Sequence, residues 1–309
     1  MRLAAAAVAV ALVAGFALHY VERSAQPTDP APRHSAYALP ASPDSYIGLY
    51  PSGAPDSYAG ATRFTNITKV APNVITYYSG WLEPFQAGFA KTVAEHGAVP
   101  LVQIDPTDIS LTAIATGQYD DYLARYAEQV RAYRHPVILG FGHEMNGGWY
   151  SWGYRHASPE AFVAAWRHIV SLFRSLGTRN VTWLWTINII HTVHRVPSPD
   201  PWWPGGSYVT WVGIDGYYYN SSSTFAPLFG PTIAAVRELT RKPILISETA
   251  ASPTAGQPAK IADLFAGVHQ YELLGFVWFD ASHIEDWRLK GPAALAAFRR
   301  GARTYRRRT

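Results

Sequence analysis

From Tyr46 to the end of the chain, short apolar runs alternate with longer stretches of helical periodicity, and this alternation restricts the fold more than any other feature. Eight runs have the length and the β-branched or aromatic content of strands: Tyr46–Tyr50, Asn73–Ser79, Val99–Ile104, Val137–Gly142, Val181–Thr186, Val209–Asp215, Ile244–Ser247 and Phe276–Phe279. Helical stretches lie between them, among them Asp120–Tyr133, Pro159–Leu176, Phe225–Thr240 and Pro258–Leu273. In Pro159–Leu176 the residues Phe162, Ala165, Trp166, Ile169, Val170 and Phe173 recur at helical spacing behind a Ser158-Pro159 start. Val137 to Phe141 is apolar without interruption, as in a parallel strand covered on both faces. Eight strands alternating with helices over about 260 residues predict an α/β protein, a (β/α)₈ TIM barrel forming a single catalytic domain over residues 46–300. A doubly wound open sheet is the alternative, but it usually brings a glycine-rich turn after its first strand, and Tyr46–Gly53 has none.

The flanks read differently. Residues 1–18 hold one Arg and then sixteen uncharged, mostly apolar residues. That is a secretory h-region, slightly short for a membrane span, so residues 1–25 are expected to be a signal peptide or an N-terminal membrane anchor. Either implies a secreted or extracytoplasmic protein. Residues 26–45, rich in Pro and Ser, lack the apolar content to fold and read as a linker. Residues 301–309 read as a solvated basic tail. Six arginines in the last eleven residues account for the formal charge of +4, and without them the chain carries −2. The body therefore lacks the basic surface of a nucleic-acid binder. There is no cysteine, which excludes disulfides, thiolate metal sites and a cysteine nucleophile.

Chemistry collects where the strands finish, the end of a barrel at which catalytic groups gather. The second strand ends Tyr77-Tyr78-Ser79-Gly80-Trp81 and the third Gln103-Ile104-Asp105. The fourth ends His143-Glu144-Met145-Asn146-Gly147-Gly148-Trp149, with Trp152 beyond, and the fifth ends at Asn188. The sixth ends Asp215-Gly216-Tyr217-Tyr218-Tyr219, the seventh Ser247-Glu248-Thr249 and the eighth Trp278-Phe279-Asp280. Two glutamates from strands four and seven face each other across such a mouth, an arrangement suited to glycoside hydrolysis. Aromatic rings bind the apolar faces of sugars, and amides and carboxylates bind the hydroxyls. With eleven tryptophans, the chain has aromatic groups to spare for such a cleft.

The segment His143 to Trp149 with Trp152-Gly153 closely resembles the acid/base segment of glycoside hydrolase family 26, retaining (β/α)₈ enzymes that include β-mannanases. Tyr208 to Tyr217 is similar to the family's sixth-strand segment and Ile246-Ser247-Glu248 to its nucleophile strand. The resemblance implies Glu144 as acid/base and Glu248 as nucleophile of a double displacement. It implies that His143 orients the site or binds a hydroxyl, that Tyr217 hydrogen-bonds Glu248, and that Trp149 and Trp278 stack on sugar rings. Asp105, Asn146, Trp152, Trp81 and Asn188 complete the expected substrate-binding set. Thr210, where the family's mannanases often carry Asp, is a departure expected to alter contacts near the cleft.

The expected activity is endo-hydrolysis of a polysaccharide partner, β-mannan first, with β-1,3/1,4-glucan, xylan or an exopolysaccharide as alternatives. A transglycosylase shares the same covalent intermediate, and a catalytically slow carbohydrate-binding accessory protein is the reading from another class. No cofactor is needed, and a monomer is expected to suffice. His191 and His194 lie three apart, but no cysteine or nearby carboxylate completes a metal site, so none is expected. Trp202-Trp203, in a Pro/Gly-rich loop, either lines a distal subsite or pins the loop.

Overall fold

The computed structural model describes residues 37–191 and 196–306. Eight parallel strands close into a barrel in chain order: β1 Tyr46–Pro51, β2 Val74–Gly80, β3 Val99–Asp105, β4 Val137–Phe141, β5 Val181–Asn188, β6 Trp211–Asp215, β7 Ile244–Thr249 and β8 Gly275–Asp280. β1 closes on β8 through six consecutive pairs, Tyr46–Gly275 to Pro51–Asp280. Around the barrel run α1 Ala59–Thr68, α2 Ala87–Glu95, α3 Leu111–Ala115, α4 Asp120–Tyr133, α5 Pro159–Ser175, α6 Phe225–Leu239, α7 Gln257–Gln270 and α8 Gly291–Arg306. The expected (β/α)₈ barrel is the observed fold. Among the described residues the β5–β6 connection holds no α-helix, only the 3₁₀ turn Asp200–Trp202.

Side-chain alternation sorts the barrel into layers. Tyr46, Val74, Leu101, Ile138, Leu184, Trp211, Leu245 and Val277, one from each strand, form an inner cluster that closes the base. The next layer is small or polar. The Gln103 amide donates to the Thr186 hydroxyl at 2.8 Å. At Gly140 a Cβ would lie 1.9 Å from the Gln103 Oε1, so only glycine leaves that amide its place. The rim lies above this layer. Residues of opposite parity face the helices, where Ile246, Phe276 and Trp278 join the larger core.

In β7 the alternation breaks. Ile214 pairs with Ile246, but Asp215 pairs with Glu248, so β7 carries one extra residue, a bulge at Ser247. A bulge re-aims side chains. Here Ser247 and Glu248 both point inward, Ser247 to Asp215 at 2.6 Å and Glu248 to Tyr217 on the rim.

The ends of the domain depart from expectation. α8 runs through Arg306, with Ala302 and Tyr305 buried, so residues 301–306 belong to the barrel and not to a tail. Arg299 donates to the carbonyls of Ile67 and Thr68 at the end of α1. Of the expected linker, Asp44 is buried and bonds the Leu273 carbonyl through its N–H at 3.0 Å. The apolar N-terminal segment, His194 and Arg307–Arg308 lie outside the described residues. No helix among the described residues is long and apolar enough to cross a membrane.

Candidate active site

Glu144 stands just beyond β4, with its N–H bonded to the Thr186 carbonyl at 2.9 Å. Its φ is +55°, the left-handed region that L side chains rarely adopt, and it follows Gly142 at the same φ. This turn sends the carboxyl over the barrel mouth. Both of its oxygens accept hydrogen bonds: the Asn188 amide donates to Oε1 at 2.6 Å and the Trp149 indole to Oε2 at 2.7 Å. Asn188 is itself fixed, because Asn146 is buried and its side chain bonds both the N–H and the carbonyl of Asn188 at 2.9 Å.

Glu248 is half-buried, and burial pushes its carboxyl up to about 8. The phenols of Tyr217 and Tyr78 donate to its Oε1 and Oε2 respectively. Tyr217 is braced by Trp287, whose ring centre lies 4.5 Å away, and by Phe279 at 6.0 Å.

His143 lies between Asp105 (Nδ1 to Oδ1, 2.9 Å) and the Tyr150 hydroxyl (Nε2, 3.1 Å). Burial by itself would lower the imidazole, but Asp105 in contact, with Glu144 and Asp215 further off, raises it to about 9. Asp215 is buried and pushed well upward by that burial and by the charge of Glu144. One rim thus gathers an imidazolium, two glutamates, two aspartates and donors aimed at each glutamate.

The structure brings Glu144, Glu248, His143, Asp105, Asn188, Tyr217 and Trp149 together. Asp105 holds His143 Nδ1 through its Oδ1. Three residues of the expected set do other work. Trp152 is buried, stacks on Tyr150 at 4.3 Å, and donates to the His143 carbonyl. Asn146 ties the β4 and β5 ends together. Trp81 packs against Tyr119, Tyr122 and Phe141. Trp278 is a correction. It is fully buried behind the barrel wall against Phe298 of α8, because the inward position at that end of β8 is Phe279. Thr210 is a second correction. Its hydroxyl accepts the Trp183 N–H at 3.2 Å at the start of β5 and β6, the end of the barrel opposite the glutamates, so it alters nothing in the cleft. Trp202 and Trp203 pin their loop against Tyr154 and Trp185.

Tyr78, Tyr150, Asp215, Phe279 and Trp287 were missed. Strand parity would have found Tyr78 and Phe279; Trp287, far along a loop, left no such signal. Among the described residues the exposed large apolar side chains are Leu82, Trp149, Tyr219 and Ile284, each in a loop that follows a strand on the glutamate face. No cluster of His, Asp or Glu among the described residues is arranged to hold a metal.

Residues 107–244 match glycosyl hydrolase family 26, a stretch that holds Glu144 and stops short of Glu248. The barrel belongs to this family. The chain is also similar to endoglucanase H of Acetivibrio thermocellus, 30% identical over 234 residues that make up 71% of the chain and 25% of the relative. The chain thus spans about a quarter of that relative's length. A double mutant of an endo-β-1,4-mannanase from Cellulomonas fimi shares the fold at a TM-score of 0.63 and 18% identity, over 77% of this chain and 65% of that one. A family 26 β-mannanase from Bacteroides ovatus does so at 0.58 and 16% identity, over 85% and 87%.

Proposed function

We propose that the protein is a retaining endo-β-glycoside hydrolase acting on a polysaccharide by double displacement. The observation that carries this reading is the pair Glu144 and Glu248 on one rim, each held by two donors from different strands or loops. A retaining pair stands about 5–5.5 Å apart, so that one carboxylate reaches the anomeric carbon while the other reaches the leaving oxygen. Glu248 forms a C–O bond to the anomeric carbon as the glycosidic C–O bond breaks. The bond's electron pair stays on the leaving oxygen, which takes the proton of Glu144. Water then gives a proton to Glu144 and displaces Glu248, returning both groups to their starting state. In the free site both Glu144 oxygens are occupied, and Trp149, half exposed, is the donor that substrate displaces.

β-Mannan is the first substrate, in line with the mannanases that share the fold. β-Glucan is the second, and the relative named as an endoglucanase at 30% identity favours it. Exposed apolar side chains on both sides of the mouth suit a chain lying across it, as endo action requires. The apolar N-terminal run supports export to where such polymers lie.

The test is reducing-end release from β-mannan, mixed-linkage β-glucan and xylan by wild type, Glu144→Gln and Glu248→Ala. Release by wild type alone supports the reading and names the sugar. Equal release by Glu248→Ala defeats it. Azide added to Glu248→Ala should yield a glycosyl azide of inverted configuration, since azide then attacks in place of the missing carboxylate.

A further inference from the structure

Glu248 presents a problem that Tyr217 does not solve alone. Its carboxyl is held in a poorly solvated place, and among the described residues no Lys, Arg or His lies within ion-pair distance of it. A carboxylate must be ionised to attack, so only hydrogen bonds can favour the anion there. Tyr217 serves Oε1. Oε2 is served from the far side of the barrel by Tyr78 at the end of β2. The Tyr78 ring is seated between Tyr50 at 5.3 Å and His143 at 5.2 Å. The cationic His143 beside that ring draws electron density from the phenol and makes it a better donor.

We propose that Tyr78 is a second positioning residue for the nucleophile: it fixes and ionises Glu248 through Oε2, and through its ring it joins that hold to His143, the neighbour of Glu144. The proposal rests on the hydrolase reading above. The groups facing Glu248 are Tyr50 on β1, Tyr78 on β2, and Asp215 and Tyr217 on β6; His143 and Glu144 stand across the rim beyond β4. Of these, Tyr78 and Tyr217 alone donate to the carboxyl.

Tyr78→Phe keeps the ring and removes the donor. In the full-length protein, kcat/KM on the preferred glycan should fall about 10²-fold, the usual effect of one preorganised donor. Its acidic limb should move to higher pH by about one unit, because the carboxylate then forms at higher pH. The loss should persist with a dinitrophenyl glycoside, whose leaving group needs no proton, since the defect lies with the nucleophile. An unmoved limb, or a loss that vanishes with the activated substrate, overturns the proposal.

A second readout needs no turnover. In protein labelled with ¹³C at glutamate carboxyls, the Glu248 signal is identified by its absence in Glu248→Gln. Its titration midpoint should rise in Tyr78→Phe and stay put if Tyr78 merely packs. If wild type hydrolyses no glycan, the hydrolase reading falls while this titration still decides the role of Tyr78. If Tyr78→Phe does not fold, difluorotyrosine at position 78, a stronger donor of nearly the same shape, should move the midpoint down; no movement overturns the proposal.

Discussion

His143, buried, and Asp105, half-buried, form a pair in which Nδ1 donates to Oδ1 at 2.9 Å, while Nε2 of the same ring faces the Tyr150 hydroxyl at 3.1 Å. Both ring nitrogens therefore have acceptors, as an imidazolium requires. The folded histidine is raised from 6.5 to about 9, so the pair's contribution to stability is full below 6.5 and is lost as pH rises through about 9. Asp105→Asn should bring the His143 titration back toward its ordinary value, read from the imidazole proton resonances. The stability gap between wild type and Asp105→Asn, measured by urea denaturation, should be widest in mild acid and narrow above pH 9.

Asn188 and Glu144 sit on the leaving-group side of the proposed reaction. Asn188→Ala should lower kcat on polysaccharide by about 10–10²-fold, and Glu144→Gln by about 10²–10⁴-fold, the range of general acid–base assistance. With a dinitrophenyl glycoside the first step of both variants should recover, visible as a burst of dinitrophenol. Equal loss on both substrates would place these residues elsewhere in the mechanism.

Trp278 and Trp149 should separate cleanly. Trp278→Ala empties a fully buried site against Phe298 and should cost about 3–5 kcal/mol of stability, with KM unchanged in whatever protein folds. Trp149→Ala removes a half-exposed ring and should leave the melting temperature in place while kcat/KM falls about 10–10²-fold. Thermal melts and steady-state kinetics on the two variants check both.

Gly140→Ala tests the polar layer under the rim. The added methyl would meet the Gln103 side chain at 1.9 Å and drive it from Thr186. A loss of about 1–3 kcal/mol is expected, the usual cost of overpacking, measured by chemical denaturation.

Much of this was legible in the chain. The eight strands were found within a few residues, and α4 with the bounds observed, because buried parallel strands and amphipathic helices leave different periodicities. The two glutamates were legible because each comes within three residues of the end of an apolar run, Val137–Phe141 or Ile244–Ile246. Position along a strand was not enough for Trp278, where the two-residue alternation decides which face a ring occupies and puts Phe279 inward instead. Thr210 stands only seven residues before Tyr217, yet β6 separates them and carries the two to opposite ends of the barrel. Tyr78 is legible as a strand end, yet its partner lies 170 residues away, and no local pattern records a contact closed by the barrel itself.

The bulge in β7 makes the strand behave like a reading frame. Counted in simple alternation from Leu245, the sequence would set Ser247 inward and turn Glu248 out among the helices. One extra residue resets the count at the last moment and brings the carboxyl back over the mouth. Deleting a residue upstream in β7, or exchanging Ser247 and Glu248, would keep the composition of the rim almost unchanged and still put the carboxyl a storey too low, against Asp215. The chemistry is therefore specified by backbone arithmetic as much as by residue type. An insertion that a surface loop would absorb without effect becomes, in this one strand, a loss of the nucleophile.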